Sequence, residues 1–253
     1  MQTADPWRVT ELGGGIVRAS ESGIRMVLPC ASSDAYSDAQ ISDYATRADF
    51  SNRPPLRLSL CARFQGELKG TAGFGFWNHA FMPGQRSFRL PQALWFLFTS
   101  RENDIELARG VAGNGWKAAA INARDWRFLA LLPFAPLGFL LMRSRVLYDT
   151  LWPIGQRAIG VSEAMLDKGL LRERRRYSID WQAGLALFAV DGEVVHQADN
   201  VAKGPLGFIA WIDNQYTVLT PQGKFKWGLL APPGEQSLEL SDIQITGAKA
   251  GCS

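Results

Sequence analysis

The stretch that most constrains this chain is Leu185-Ala-Leu-Phe-Ala-Val-Asp-Gly-Glu-Val-Val-His-Gln197. An Asp-Gly pair between two runs of strand formers marks a two-residue type I′ turn, because both turn positions need positive φ and these residues tolerate it. It predicts an antiparallel hairpin of 185–190 with 193–197. A second run, Leu56-Arg-Leu-Ser-Leu-Cys-Ala-Arg-Phe64, opens with five residues in apolar–polar alternation, as a strand with one buried face requires. Further strand-like runs at 73–77, 93–99, 104–107, 176–181, 206–212 and 238–245 are mostly separated by Gly, Pro and Asn. So many strands, with little helical periodicity outside one region, predict an all-β chain of two stacked antiparallel sheets.

The 253 residues are 47% hydrophobic, enough for one large core, and sandwiches of this length remain a single domain. Lys and Arg total 27 against 24 acidic residues, and a dispersed net charge of +3 argues against nucleic acid as a partner. Cys30, Cys61 and Cys252 are odd in number and far apart, which indicates neither a zinc site nor a disulfide framework. The opening Met-Gln-Thr-Ala-Asp-Pro-Trp lacks a basic region followed by an apolar run, so the expected location is the cytoplasm, with membrane association left open.

The exception to the strand pattern is 125–171, read as an apolar helical insertion within the sandwich. Phe128 to Met142 is almost continuously apolar and is bracketed by Arg124, Arg127, Arg143 and Arg145. Pro133, Pro136 and Gly138 break it, and it is shorter than the roughly 20 residues of a bilayer span. Three readings stand: a buried helical element, a lid over a cleft, or a hairpin that dips into a membrane interface with its arginines at the headgroups. Beyond it, 146–152 and 161–171 read as helices, the second with Ser162-Glu163 as its cap. The arginines at 172 and 174–176 read as a solvated strand entry or as a contact for an anionic ligand.

Glu102, Asp104 and Glu106 recur at period two, so on a strand all three side chains leave one face. The outer Cα atoms then stand about 13 Å apart, and inward-leaning glutamates can approach the roughly 5–5.5 Å of a double-displacement glycosidase. One carboxylate would attack the anomeric carbon while the other protonates the leaving oxygen, with the aspartate between them coupling the titrations. Three like charges on one face repel, a cost that suggests a function. The preceding Thr99-Ser-Arg101 admits the other reading, a surface turn that carries Glu102 into solvent.

Glu102-x-Asp104-x-Glu106 resembles the active-site strand of family 16 glycoside hydrolases, the lichenase and xyloglucanase group. Tyr177-Ser-Ile-Asp-Trp181 with the following apolar strand and Val-Asp-Gly turn, and Leu238-Glu-Leu-Ser-Asp-Ile-Gln-Ile245, are similar to further family segments; together these cover about half the chain. The resemblance implies a concanavalin-like jelly roll, Glu102 as nucleophile, Glu106 as acid/base and Asp104 assisting. Asn103 departs from the pattern, standing where the family has an apolar residue, and a buried amide there needs partners.

Trp77, Trp95, Trp116 and Trp211 are the candidate sugar platforms, with Trp227 a further one, since sugar rings stack on aromatic faces. His79 in Trp-Asn-His-Ala-Phe could be a base in a pocket, but with only two histidines in the chain and no paired nucleophile it reads as a structural or exposed histidine, and Gly13-Gly14-Gly15 reads as a turn. No cofactor is expected; a structural calcium near Asp242 is the one cation the reading leaves open. Two functions follow. One is a retaining hydrolase of a β-linked glycan or glycoconjugate. The other is a non-hydrolytic jelly roll that binds, cyclises or isomerises an apolar small molecule beneath the insertion. The ligand classes are thus a small molecule, a glycan or a glycolipid, with peripheral membrane contact through 128–142 as a third possibility; the oligomeric state is not set by the sequence.

Overall fold

The computed structural model describes residues 6–20, 23–79 and 89–247. Along the chain run β1 (Arg8–Leu12), β2 (Ile16–Ser20), β3 (Gly23–Leu28), β4 (Asp38–Ser42), β5 (Leu56–Gln65), β6 (Thr71–Trp77), β7 (Gln92–Thr99), β8 (Asp104–Ile105) and β9 (Gly115–Asn122). Helices α1 (Trp126–Leu131), α2 (Ala135–Leu141) and α3 (Arg145–Ile159) follow. The rest is β10 (Ser162–Leu166), β11 (Arg175–Gln182), β12 (Leu185–Val190), β13 (Glu193–Asp199), β14 (Gly207–Asp213), β15 (Gln215–Leu219), β16 (Phe225–Leu229) and β17 (Gln236–Gly247).

Two antiparallel sheets of seven strands each are ordered β1-β4-β14-β6-β7-β9-β10 and β13-β12-β11-β5-β17-β3-β2, and a small third sheet is ordered β16-β15-β8. The expected two-sheet jelly-roll sandwich is what forms. Alternation decides what lies between the sheets. Phe74 and Phe76 of β6, Leu94 and Phe96 of β7, and Phe208 of β14 point inward onto Tyr177, Ile179 and Trp181 of β11 and Phe188 of β12. Each such aromatic or aliphatic side chain contributes about 1.5–3 kcal/mol by leaving water. Asp191 and Gly192 take φ of 52° and 90°, so the β12–β13 hairpin turns through two left-handed residues as its Asp-Gly pair predicts. Gly13 and Gly14 supply the left-handed turn between β1 and β2.

The 125–171 region differs from the expectation in three ways. First, 161–171 is not a helix: β10 pairs with β9 and closes the sheet edge, and a short 3-10 turn, Lys168–Leu171, follows. Edge pairing overrides the helix-forming composition of Ala-Met-Leu-Asp-Lys. Second, the helix begun at 146–152 extends over Arg145–Ile159 and contains Pro153; it stops at Gly160, whose φ of 62° is the left-handed cap. Third, the apolar residues are not core. Neither α1, nor the 3-10 turn Leu132–Phe134, nor α2 contains a buried residue. Pro133 and Pro136 stand at the first turns of these short segments and divide them. Among the described residues no helix is long and apolar enough to cross a membrane.

Candidate functional site

The outer face of the first sheet carries the concentration of chemistry. Side chains opposite in parity to the core phenylalanines emerge there: Trp77 on β6, Trp95 and Leu97 on β7, Ile209 and Trp211 on β14, and Lys117 on β9. Trp95 lies opposite Gly75 across the β6–β7 pair, and Trp211 lies opposite Gly73 across β14–β6. Those glycines make the room. A Cβ on Gly73 would stand 3.0 Å from the Trp211 ring, and one on Gly75 would stand 2.9 Å from the Trp95 Cβ. With no side chains between them, the indoles settle over β6 with Trp77–Trp95 and Trp95–Trp211 centroids 6.1 and 5.7 Å apart.

The row continues at both ends into polar groups. Trp77 donates from Nε1 to the Tyr44 hydroxyl at 2.6 Å, and His79 stacks on Trp77 with ring centroids 4.8 Å apart. His79 is buried, not exposed, and holds a left-handed backbone at φ 53°. Such strain in a residue with a Cβ is confined to sites where surrounding structure enforces it; here the Arg47 side chain donates from Nε to the His79 carbonyl at 3.0 Å. Burial, reinforced by the Arg47 charge, pushes the imidazole down to about 4, so it is neutral at pH 7. Its Nε2 finds no hydrogen-bond partner among the described residues.

At the other end, Asp38 of β4 and Asp213 of β14 face each other in register and are 3% and 1% exposed. Asp213 accepts from the Thr71 backbone and hydroxyl (3.1 and 2.9 Å), from Gln215 N (3.2 Å) and from the Tyr36 hydroxyl (3.4 Å). Burial still pushes it up to about 7. Burial, and then the neighbouring Asp213 charge, hold Asp38 well above the usual carboxylate range, and its buried Oδ1 has no hydrogen-bond partner among the described residues. Two carboxyls this close and this dry cannot both ionise near neutrality, so the pair retains a proton. Trp211 donates from Nε1 to Thr71 Oγ1 at 2.9 Å, which ties the end of the indole row to the aspartate pair.

The segment singled out for its carboxylates forms a wall beside this face and is not a strand across it. Only Asp104–Ile105 is strand, paired in parallel with β15. The reason is Asn103. Its buried amide donates to Gly70 O and to Ser100 O and Oγ, and accepts from Thr217 N, which turns the chain out of the first sheet immediately after β7. Glu102 consequently sits in a solvent-facing turn, 3.2 Å from the Lys69 ammonium. Its small burial raises its pKa, but the Ser100 hydroxyl, a backbone N–H and Lys69 outweigh that and hold the carboxyl below its usual range. The expectation that Glu102, Asp104 and Glu106 share one strand face is therefore corrected: the three lie on a turn, a two-residue strand and the loop beyond it. That loop is pinned to the sheet. Lys117 Nζ donates to Ile105 O at 3.2 Å and Glu163 accepts from Ala108 N at 3.0 Å, while Lys117 and Glu163 pair at 3.4 Å with side chains only 1% and 4% exposed. Trp152 of α3 adds a bond from Nε1 to Leu107 O at 2.9 Å.

Of the four candidate platforms, the structure brings Trp77, Trp95 and Trp211 into one row, in which Trp77 and Trp95 are half-buried and Trp211 is buried at 8% exposure. Trp116 is corrected: it is fully buried between Phe64, Phe96 and Tyr177, with no face for a ligand. Trp227 is on β16, apart from the row. Asp242 faces Arg174 and Arg176 at 3.6 and 3.9 Å instead of other carboxylates, and among the described residues no three His, Cys, Asp or Glu side chains group to hold a metal. Arg175 pairs with Glu173 and Asp191, which leaves that cluster a solvated strand entry. Cys30 and Cys61 are free thiols, and Cys252 lies outside the described residues. Sequence reasoning missed Asp38 and Asp213, and it singled out His79 without placing it at the end of the row.

Comparison with known proteins bears on this architecture. The chain superposes on Crh5 transglycosylase, both without ligand (10% identity, 98% of this chain and 81% of that one, TM-score 0.52) and in complex with NAG (10%, 97% and 79%, TM-score 0.52). The likeness shows the fold, a two-sheet jelly roll. A Bacteroides ovatus mixed linkage glucan GH16 in complex with a product is also similar in structure (10% identity, 95% and 94%, TM-score 0.48). No family model and no curated protein matches the sequence. The jelly roll thus accounts for the two sheets, while the contents of their outer face are read from this chain alone.

Proposed function

We propose that the protein binds a β-linked glycan or glycoconjugate along the outer face of the first sheet. The observation that carries the proposal is the half-buried pair Trp77 and Trp95, backed by the buried Trp211, with the rings held at 6.1 and 5.7 Å on the outer face of the sheet. Sugars present apolar C–H faces and a rim of hydroxyls, so a recognition surface needs flat rings for the first and a few fixed donors and acceptors for the second. The bond from Trp77 to Tyr44 and the packing over Gly73 and Gly75 hold the rings before a ligand arrives, which reduces the ordering cost of binding.

Retaining hydrolysis by Glu102 and Glu106 is the second reading. What favours it is the fold, shared with a transglycosylase, together with an ionised Glu102, the state a nucleophile requires. Recognition has the better support, because the aromatic row is assembled while the carboxylates are spread over a turn and a loop.

Titration calorimetry with xyloglucan and mixed-linkage β-glucan oligosaccharides tests recognition. Binding that Trp95→Ala weakens by about tenfold or more supports it, and that factor corresponds to about 1.4 kcal/mol. An aryl-glycoside panel tests hydrolysis: turnover that vanishes in both Glu102→Gln and Glu106→Gln supports the second reading, and turnover that survives either substitution removes it.

A further inference from the structure

We infer that the apolar helical surface of α1 and α2, together with the β15–β16 tip, is a docking site for the interface of an anionic lipid bilayer. The surface is large and unpartnered: Phe134, Leu137 and Leu140 are 65%, 56% and 58% exposed, and Phe225 at the start of β16 is 72% exposed. Soluble monomers rarely leave contiguous apolar area of this kind open without a partner. The two parts meet, since Phe139 of α2 lies against Gly223 in the turn between β15 and β16. Helix and hairpin therefore present one continuous face.

Charge selects the occupant. Arg124, Arg127, Arg143 and Arg145 bracket the helical segment and are exposed, and Lys224 and Lys226 flank Phe225. Among the described residues Arg124, Arg143 and Arg145 have no ion-pair partner; Arg127 lies over the Trp126 ring at 5.6 Å. Leucines and aromatic residues bordered by arginines match the depth profile of a bilayer interface, where apolar groups enter the acyl boundary and guanidinium groups stay with phosphates. Each cation near an anionic leaflet adds favourable electrostatic energy. A second copy of this chain fits less well, because an isologous contact would bring the same arginines of both protomers together. The helices are also too short to span, and with no buried residue of their own they are free to sit in the interface. None of this depends on what the sheet face binds.

Vesicle flotation of the full chain tests the inference, with phosphatidylcholine vesicles compared with vesicles containing about 30% phosphatidylglycerol. The expected result is flotation with the anionic vesicles, weakened at least about tenfold on phosphatidylcholine alone. The triple variant Phe134→Asp, Leu137→Asp, Leu140→Asp loses flotation while its melting temperature stays at the wild-type value, since the three side chains are exposed. A charge-reversed Arg143→Glu, Arg145→Glu variant weakens binding to anionic vesicles with the apolar face intact. Wild-type protein that fails to float with either vesicle overturns the inference, as does flotation unchanged in the triple variant. Light scattering that reports a dimer dissociated by the triple substitution also overturns it, and assigns the face to a second copy.

Discussion

The two apolar surfaces of this molecule are built in opposite ways. On the outer face of the first sheet, Trp77, Trp95 and Trp211 stand on hydrogen-bonded strands, with polar groups locking their edges and a buried ion pair closing the wall beside them. On α1 and α2 the apolar side chains rest on short helices divided by prolines, and no residue of either helix is buried. The first arrangement holds rings at set distances, which suits a ligand with a repeat of its own. The second sets no distances, which suits a partner that is itself fluid. Similar hydrophobic side chains therefore serve different purposes, depending on how much buried polar structure supports them.

The contrast breaks most visibly at the Lys117–Glu163 pair. Replacing Glu163 with Gln leaves a buried ammonium without its counter-charge and one acceptor oxygen for two donors, Lys117 Nζ and Ala108 N, so urea denaturation should show a loss of about 3–5 kcal/mol. If the variant is as stable as the wild type, the wall is not anchored as described. A smaller effect is expected with pH. Asp213, pushed by burial up to about 7 from the usual carboxylate range, keeps in the native state a proton that the unfolded chain has lost. Its contribution to stability is complete below the unfolded value and is lost as pH rises through 7, with a slope of at most about 1.4 kcal/mol per unit for one group. Asp38→Asn should flatten that slope, measured as the urea midpoint between pH 5 and 8; a midpoint that rises with pH in the wild type and is unaltered by the substitution contradicts the shared-proton pair. The smallest effect belongs to the helical surface. Phe134→Ala and Leu137→Ala should each change stability by less than about 0.5 kcal/mol by the same measurement, because exposed side chains have little packing to lose.

The sandwich was legible where one face of a strand is wet. The Leu56-Arg-Leu-Ser-Leu alternation became β5, and the Asp191-Gly192 pair turned where its chemistry required. It was not legible in β9. There the residues Trp116, Lys117, Ala118, Ala119 and Ala120 are all buried, so no period of two survives, and the strand that assigns Trp116 to the core was not recognisable. Parity was readable in β6 and β7, where tryptophans at 77 and 95 are out of step with the core phenylalanines. The carboxylate spacing misled for a local reason: period two places side chains on one face only while the strand lasts, and the Asn103 amide ends it. Asp38 and Asp213 are 175 residues apart, and only the β4–β14 pairing makes them neighbours.

The central claim is that the tryptophan row is a glycan-binding surface, and the most direct measurement is oligosaccharide titration of the wild type beside Trp95→Ala and Trp116→Phe. The account predicts that Trp95→Ala weakens binding by about tenfold with its melting temperature nearly kept, whereas Trp116→Phe lowers the melting temperature and leaves the affinity of the folded protein unchanged. Binding that ignores Trp95 and follows Trp116, or no binding by the wild type across the oligosaccharides, would contradict it.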